Sequence, residues 1–143
     1  MWQEIQRLNV NYLILVITFC LPGMLNAEET LAPEHVDGAR TIDTDTARSL
    51  HDQGVVFVDV RKQEDYDAGH IPDARHLSIR SDFTEQNLAA IAAKDSPLVI
   101  YCNGIRCMGS SKAAQKAVAW GWTAVHYYRD GIPEWVSGGY PVN

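Results

Sequence analysis

The sequence predicts an α/β fold built on a parallel sheet covered on both faces. Two short runs, VVFVDV (55–60) and PLVIYC (97–102), are β-branched and nearly all apolar, as strands buried on both faces are. The segments between such runs are helix formers with their own caps and stops. Strands and helices therefore alternate, which calls for crossover connections and parallel pairing.

Taken in order, EETLAPEHVDGAR (28–40) lacks periodicity and reads as a leading arm. TDTARSLHDQG (44–54) reads as a short helix, with Thr44 or Asp45 as its cap, Ala47 and Leu50 on one face and Gly54 as its stop. VVFVDV is the first buried strand. RKQEDYDAGHIPDARHLSI (61–79) gives a helical turn, a glycine-containing loop and a short strand around His76–Ile79. TEQNLAAIAAK (84–94) forms a helix that Pro97 stops, and PLVIYC is the second buried strand. SSKAAQKAVAWG (110–121) is a helix capped by Ser110 and left at Gly121. TAVHYY (123–128) is a strand, and IPEWVSGG, after an RDG turn, is a last short helix.

The chain has 143 residues, one domain's worth, and its beginning differs from the rest. MWQEIQRLNVN carries Arg7 and leads into YLILVITFCLPGML (12–25), apolar but for Thr18 and short for a bilayer span. NAEET follows, with Ala27 as a small residue before an acidic turn. This layout is that of a secretory signal peptide over residues 1–27, cut after Ala27, with an uncleaved membrane anchor as the alternative. Cys20 follows the bulky Phe19, which argues against a lipoprotein site. A periplasmic or secreted domain over 28–143 is the expectation, touching a membrane only if the leader stays. The net charge is −6, and no lysine or arginine cluster offsets it, which makes nucleic acid a poor partner. Without Cys20 the domain keeps two cysteines, Cys102 and Cys107, so its core must come from packing, as 46 % apolar residues allow.

Cys102 ends a buried strand where the chain enters a helix, the place where parallel sheets bind ligands. A thiol attacks as its thiolate, which helix starts and nearby cations favour. Asn103 and Gly104 let the loop bend, and Gly109 is a second permissive point before the helix. A loop curling into a helix start turns amide hydrogens inward as an anion nest, to which Arg106 adds charge. The loop Asn103, Gly104, Ile105, Arg106, Cys107, Met108 and Gly109 is thus expected to bind an anion above Cys102. Zinc usually takes four ligands, and two cysteines without a near histidine fall short; His126 lies far along the chain. No metal or cofactor is expected.

Three stretches in order resemble the rhodanese family: VFVDVRKQEDYDAGHIPDARHL, VIYCNGIRCMGSSKAA and VHYYRDGIPEWVSGGYPV, together spanning about residues 38–142. The resemblance implies a three-layer α/β domain and sulfur transfer. Cys102 would take a sulfane sulfur from a donor such as thiosulfate and pass the persulfide sulfur to cyanide, a small thiol or a partner protein's thiol. Splitting one transfer into two steps is covalent catalysis, with the loop amides stabilising the terminal sulfur. The loop departs from the family: Gly104, Arg106 and Ser110 stand two, four and eight positions after Cys102 rather than three, five and six, and Cys107 is extra. The longer loop puts thiosulfate specificity in question. Phosphatases of this fold need arginine six positions after the cysteine, where this chain has Met108.

Cys107 has three readings: a resolving thiol that forms a disulfide with Cys102, a loop-lining residue, or half of a static disulfide. A curled loop can bring the two Cα atoms within roughly 4.4–6.8 Å. Asp59 and Arg61 read as ties between a strand end and the neighbouring loop, and His70 as a loop-fixing residue. Trp120 and Trp135 read as core or wall, with Trp135 where the last loop can cover the pocket. Tyr127, Tyr128 and Arg129 end a strand on the same sheet edge and are pocket-lining candidates. Two rivals to the enzyme remain: a sulfur-carrier or binding module without turnover, and a Cys102–Cys107 thiol–disulfide redox protein.

Overall fold

The computed structural model describes residues 29–143. The signal-peptide expectation for residues 1–27 lies outside that range. Five parallel strands form one sheet: β1 (Ala39–Thr41), β2 (Val56–Asp59), β3 (Arg75–His76), β4 (Leu98–Tyr101) and β5 (Val125–Tyr128), in the order β1-β5-β4-β2-β3. Five helices accompany them: α1 (Thr44–Asp52), α2 (Gln63–Ala68), α3 (Glu85–Ala89), α4 (Gly109–Ala119) and α5 (Gly131–Ser137).

The two-residue period of a strand divides the core. Leu98 and Ile100 of β4 face one way, with Val58, Leu88, Ala113, Ala114 and Trp122 of the α3 and α4 layer. Val99 and Tyr101 face the other, with Phe57, Ala47 and Trp135 of the α1 and α5 layer. Cys102 continues the alternation and falls on the α4 side. Both central strands are covered on both faces, which is why they read as unbroken apolar runs.

The elements differ from expectation at their edges. β1 lies inside the stretch read as an arm, because three residues of an edge strand, Ala39–Thr41, are too few to show a pattern. Asp43, not Thr44 or Asp45, caps α1, its Oδ1 accepting the Thr46 amide at 2.8 Å. α4 begins at Gly109 after Met108 and has no side-chain cap; Ser110, expected there, is buried with its hydroxyl unpartnered.

The leading arm is held down closely. Ala32 and Val36 are buried, the Ala32 carbonyl accepts from Arg129 Nε and Nη2 (3.1 and 2.8 Å), and the Pro33 carbonyl accepts from the Tyr127 hydroxyl at 3.0 Å. Tyr128 bonds Thr44 through its hydroxyl at 2.9 Å. Tyr127, Tyr128 and Arg129 are therefore not pocket residues. They tie β5 to the arm and to α1, because both tyrosines sit within the sheet and are fully buried. Trp135 is also fully buried and packs beside Phe57 in the α1 and α5 layer, so it is core rather than a cover for the pocket.

Candidate active site

The residue pair that organises the site is Asp59 and Arg61, at the end of β2. Asp59 is 0 % and Arg61 7 % exposed. Arg61 donates to both carboxylate oxygens, Nη2 at 2.7 Å and Nε at 3.0 and 3.1 Å. Tyr101, the register partner of Asp59 on β4, donates its hydroxyl to the same carboxylate at 2.7 Å. Burial first, and Asp59's charge second, hold that phenol neutral far above its usual range. Arg61 Nη2 also donates to the Gly69 carbonyl at 2.7 Å, so the strand end is fastened to the next loop, as the sequence suggested. His70 fixes that loop in turn: its backbone exchanges both hydrogen bonds with Asn143, and its ring stacks on Tyr66.

Asn103 extends this framework into the loop after β4. Its amide oxygen faces Arg61 Nη1 at 3.4 Å and its NH2 donates to Asp65 at 3.1 Å. On the other flank, Gly131 (φ +64°) lets α5 start against the Cys102 backbone; a Cβ there would meet the Cys102 carbonyl oxygen at 2.3 Å. The Ile132 amide donates to that carbonyl at 3.2 Å.

Cys102 and Cys107 are joined by a disulfide, with their Cα atoms 6.3 Å apart. The loop curls as anticipated, with a turn in which the Cys107 amide donates to the Gly104 carbonyl at 2.9 Å. Both sulfurs lie at the start of α4: a Cβ on Gly109 would meet Cys102 Sγ at 3.1 Å and Cys107 Sγ at 3.4 Å. Glycine there keeps room for sulfur at the positive end of an eleven-residue helix. The amides of Gly109, Ser110 and Ser111 precede the first α-type bond, from the Lys112 amide to the Met108 carbonyl, and so have no acceptor within the helix.

A cleft of about 400 Å³ opens beside the disulfide, at the carboxyl ends of β2, β3 and β4. Of the loop residues singled out from the sequence, Cys102, Asn103, Cys107, Met108 and Gly109 line it. Gly104, Ile105 and Arg106 do not. They form the outside of the curl, because closing the loop on its two sulfurs turns the middle of it away. Arg106 instead lines a separate cleft with Asp130 and Glu134, and is ion-paired with Glu29. Its side chain is 68 % exposed. The positive charges that line the cleft beside Cys102 come from other segments: Lys62 after β2, Arg80 after β3 and Lys112 in the first turn of α4. These three were missed. The strand-end argument that found Cys102 applies equally to the segments following β2 and β3. Among the described residues, no group of three or more His, Cys, Asp or Glu side chains is placed to hold a metal ion.

A buried cysteine at a strand end, at the start of a helix and beside a cationic cleft, defines a thiol-chemistry site on a parallel α/β sheet. The Rhodanese-like domain family model matches residues 43–138, and the chain belongs to that family. It is 34 % identical over 98 residues to the thiosulfate sulfurtransferase GlpE of Pseudomonas syringae, covering 67 % of this chain and 86 % of that protein. It is 33 % identical over 93 residues to the tRNA uridine(34) hydroxylase of Buchnera aphidicola, but spans only 27 % of that longer protein. Among solved structures, a Bacillus halodurans protein superposes with a TM-score of 0.65 at 26 % identity, covering 73 % of this chain and 77 % of its own.

Proposed function

We propose that this chain is an exported sulfurtransferase that works through a Cys102 persulfide. What supports the reading is Cys102 itself, which directly follows β4 and lies at the start of α4 in a cleft with Lys62, Arg80 and Lys112. Similarity to a thiosulfate sulfurtransferase supplies the substrate class. Export rests on the apolar segment 12–25 and on Ala27. In the first step the Cys102 thiolate attacks the sulfane sulfur of thiosulfate, forming the Cys102 persulfide and releasing sulfite. The positive end of α4 stabilises the anionic sulfur.

Cys107 is the resolving thiol in this reading. Its thiol displaces the outer sulfur of the persulfide, so that the Cys102–Cys107 disulfide forms and hydrosulfide leaves. The sulfane sulfur is reduced and the two cysteines are oxidised by two electrons. With an external thiol or cyanide as acceptor instead, the outer sulfur passes to it and Cys102 returns as thiolate.

The test is the intact mass of reduced 28–143 after thiosulfate treatment and removal of the donor, with Cys102→Ser and Cys107→Ser alongside. Cys107→Ser should gain one sulfur, Cys102→Ser none, and the unaltered protein should lose two hydrogens as the disulfide closes. Sulfur retained on Cys102→Ser would place the chemistry elsewhere and overturn the reading.

A further inference from the structure

The cleft carries more positive charge than its neighbours require. Arg61 is committed to Asp59, and Asp65 to Asn103. Lys62, Arg80 and Lys112 are exposed, and none of them forms an ion pair among the described residues. They converge from three segments on one opening in a protein whose net charge is −6. Asp65 is the one acidic residue in that lining. At about 400 Å³ the cleft falls within the range that holds whole small organic ligands.

The two cysteines differ in exposure. Cys102 is 3 % exposed, whereas Cys107 is half-buried. A nucleophile entering the cleft therefore reaches Cys107 first. Attack on Cys107 expels Cys102 as a thiolate, and the start of α4 stabilises that charge.

Building on the sulfurtransferase reading, we propose that the cleft binds a small anionic thiol, which reopens the Cys102–Cys107 disulfide by attacking Cys107, with Lys62, Arg80 and Lys112 setting the preference for negative charge. The incoming thiolate forms a mixed disulfide with Cys107 Sγ as the Cys102–Cys107 bond breaks and Cys102 leaves as thiolate. A second thiol then attacks the mixed disulfide, releasing the oxidised small disulfide and the Cys107 thiol. Two thiols supply two electrons, and the site returns to the state that accepts sulfane sulfur.

The experiment uses oxidised 28–143 with three thiols of similar size: 2-mercaptoethanesulfonate, 2-mercaptoethanol and cysteamine. Rates are compared per thiolate and corrected for thiol basicity. The anionic thiol should react on the order of tenfold faster than the neutral one at low salt, and the cationic thiol slowest. The advantage should shrink with added salt. It should also shrink in Arg80→Gln/Lys112→Gln, because the anionic thiol's rate falls further than the neutral thiol's. Acid-quenched peptide maps should place the first adduct on Cys107.

Equal corrected rates for the anionic and neutral thiols would overturn the proposal, as would an adduct on Cys102. So would efficient reduction by a thioredoxin while all three small thiols remain slow, which would indicate a protein reductant. Thiosulfate loading of the reduced protein is measured separately. Failure there with the thiol preference intact removes the sulfurtransferase reading alone; the reverse result removes this proposal alone.

Discussion

Arg61 is buried and ion-paired with Asp59, so the worth of Asp59 shows in what its removal leaves behind. Asp59→Asn would strand a guanidinium that is 7 % exposed, and should destabilise the domain by about 3–5 kcal/mol. Tyr101→Phe removes one hydrogen bond to the same carboxylate and the acceptor of the Ile71 amide, leaves no buried charge unpaired, and should cost less, about 2 kcal/mol. Urea midpoints of the two variants check the order; equal losses would contradict it. The sequence marked Asp59 and Arg61 as ties between a strand end and the next loop, but not their pairing with each other, which depends on the arginine folding back over two residues. Arg106 was misread for a related reason. Its nearness to Cys102 along the chain was visible, but the direction it faces depends on the loop closing through Cys102 and Cys107, and that closure points residues 104–106 outward. Arg80 and Lys112 show the converse: remote along the chain, they are brought together by parallel strands that all end on the same side.

At the level of elements, the central strands were readable because a segment enclosed on both faces has to be apolar throughout, and α4 because its residues are helix formers ending at a glycine. The leading arm was not. Its backbone carbonyls meet Arg129 and Tyr127, which are distant along the chain, and such contacts impose no periodicity. The arm also reaches the loop itself, where the Ala32 amide donates to the Ile105 carbonyl at 2.7 Å. Arg129→Gln should therefore loosen the loop from outside the cleft. Loss of its two bonds to Ala32 should lower hydrogen-exchange protection of the Ala32 amide by roughly tenfold, equivalent to about 1.4 kcal/mol, with β4 amides unchanged. Unchanged protection at Ala32 would show that the arm is held by its buried side chains alone.

For the molecule as a whole, the three tyrosines of β4 and β5 fasten separate parts of the chain: Tyr101 to Asp59 and the Ile71 amide, Tyr127 to Pro33, Tyr128 to Thr44. Burial, opposed by the Thr44 hydrogen bond and reinforced by the charges of Asp130 and Glu134, raises Tyr128 from the usual 10 to about 12. The folded state keeps this phenol protonated at pH values where the unfolded chain has ionised. Its contribution is fully present below pH 10 and is lost as pH rises from 10 through about 12. Unfolding midpoints followed from pH 8 to 12 should fall across that upper interval, and Tyr128→Phe should flatten the fall. A slope identical in the variant would assign the alkaline loss to other groups.

The supports of the Cys102 loop also set an order of events while the chain folds. Ala32 holds Ile105 from one end of the described chain, and Ile132 holds the Cys102 carbonyl from the other, with β1 pairing to β5 between them. Contacts so distant in sequence close late, after the loop entropy between them has been spent. A chain still lacking its last segment has both cysteines but neither Gly131 nor Ile132 to seat Cys102. Cys102 is thereby seated only once residues 131–132 are in place: a chain cut before them carries the thiols without the seat that directs them.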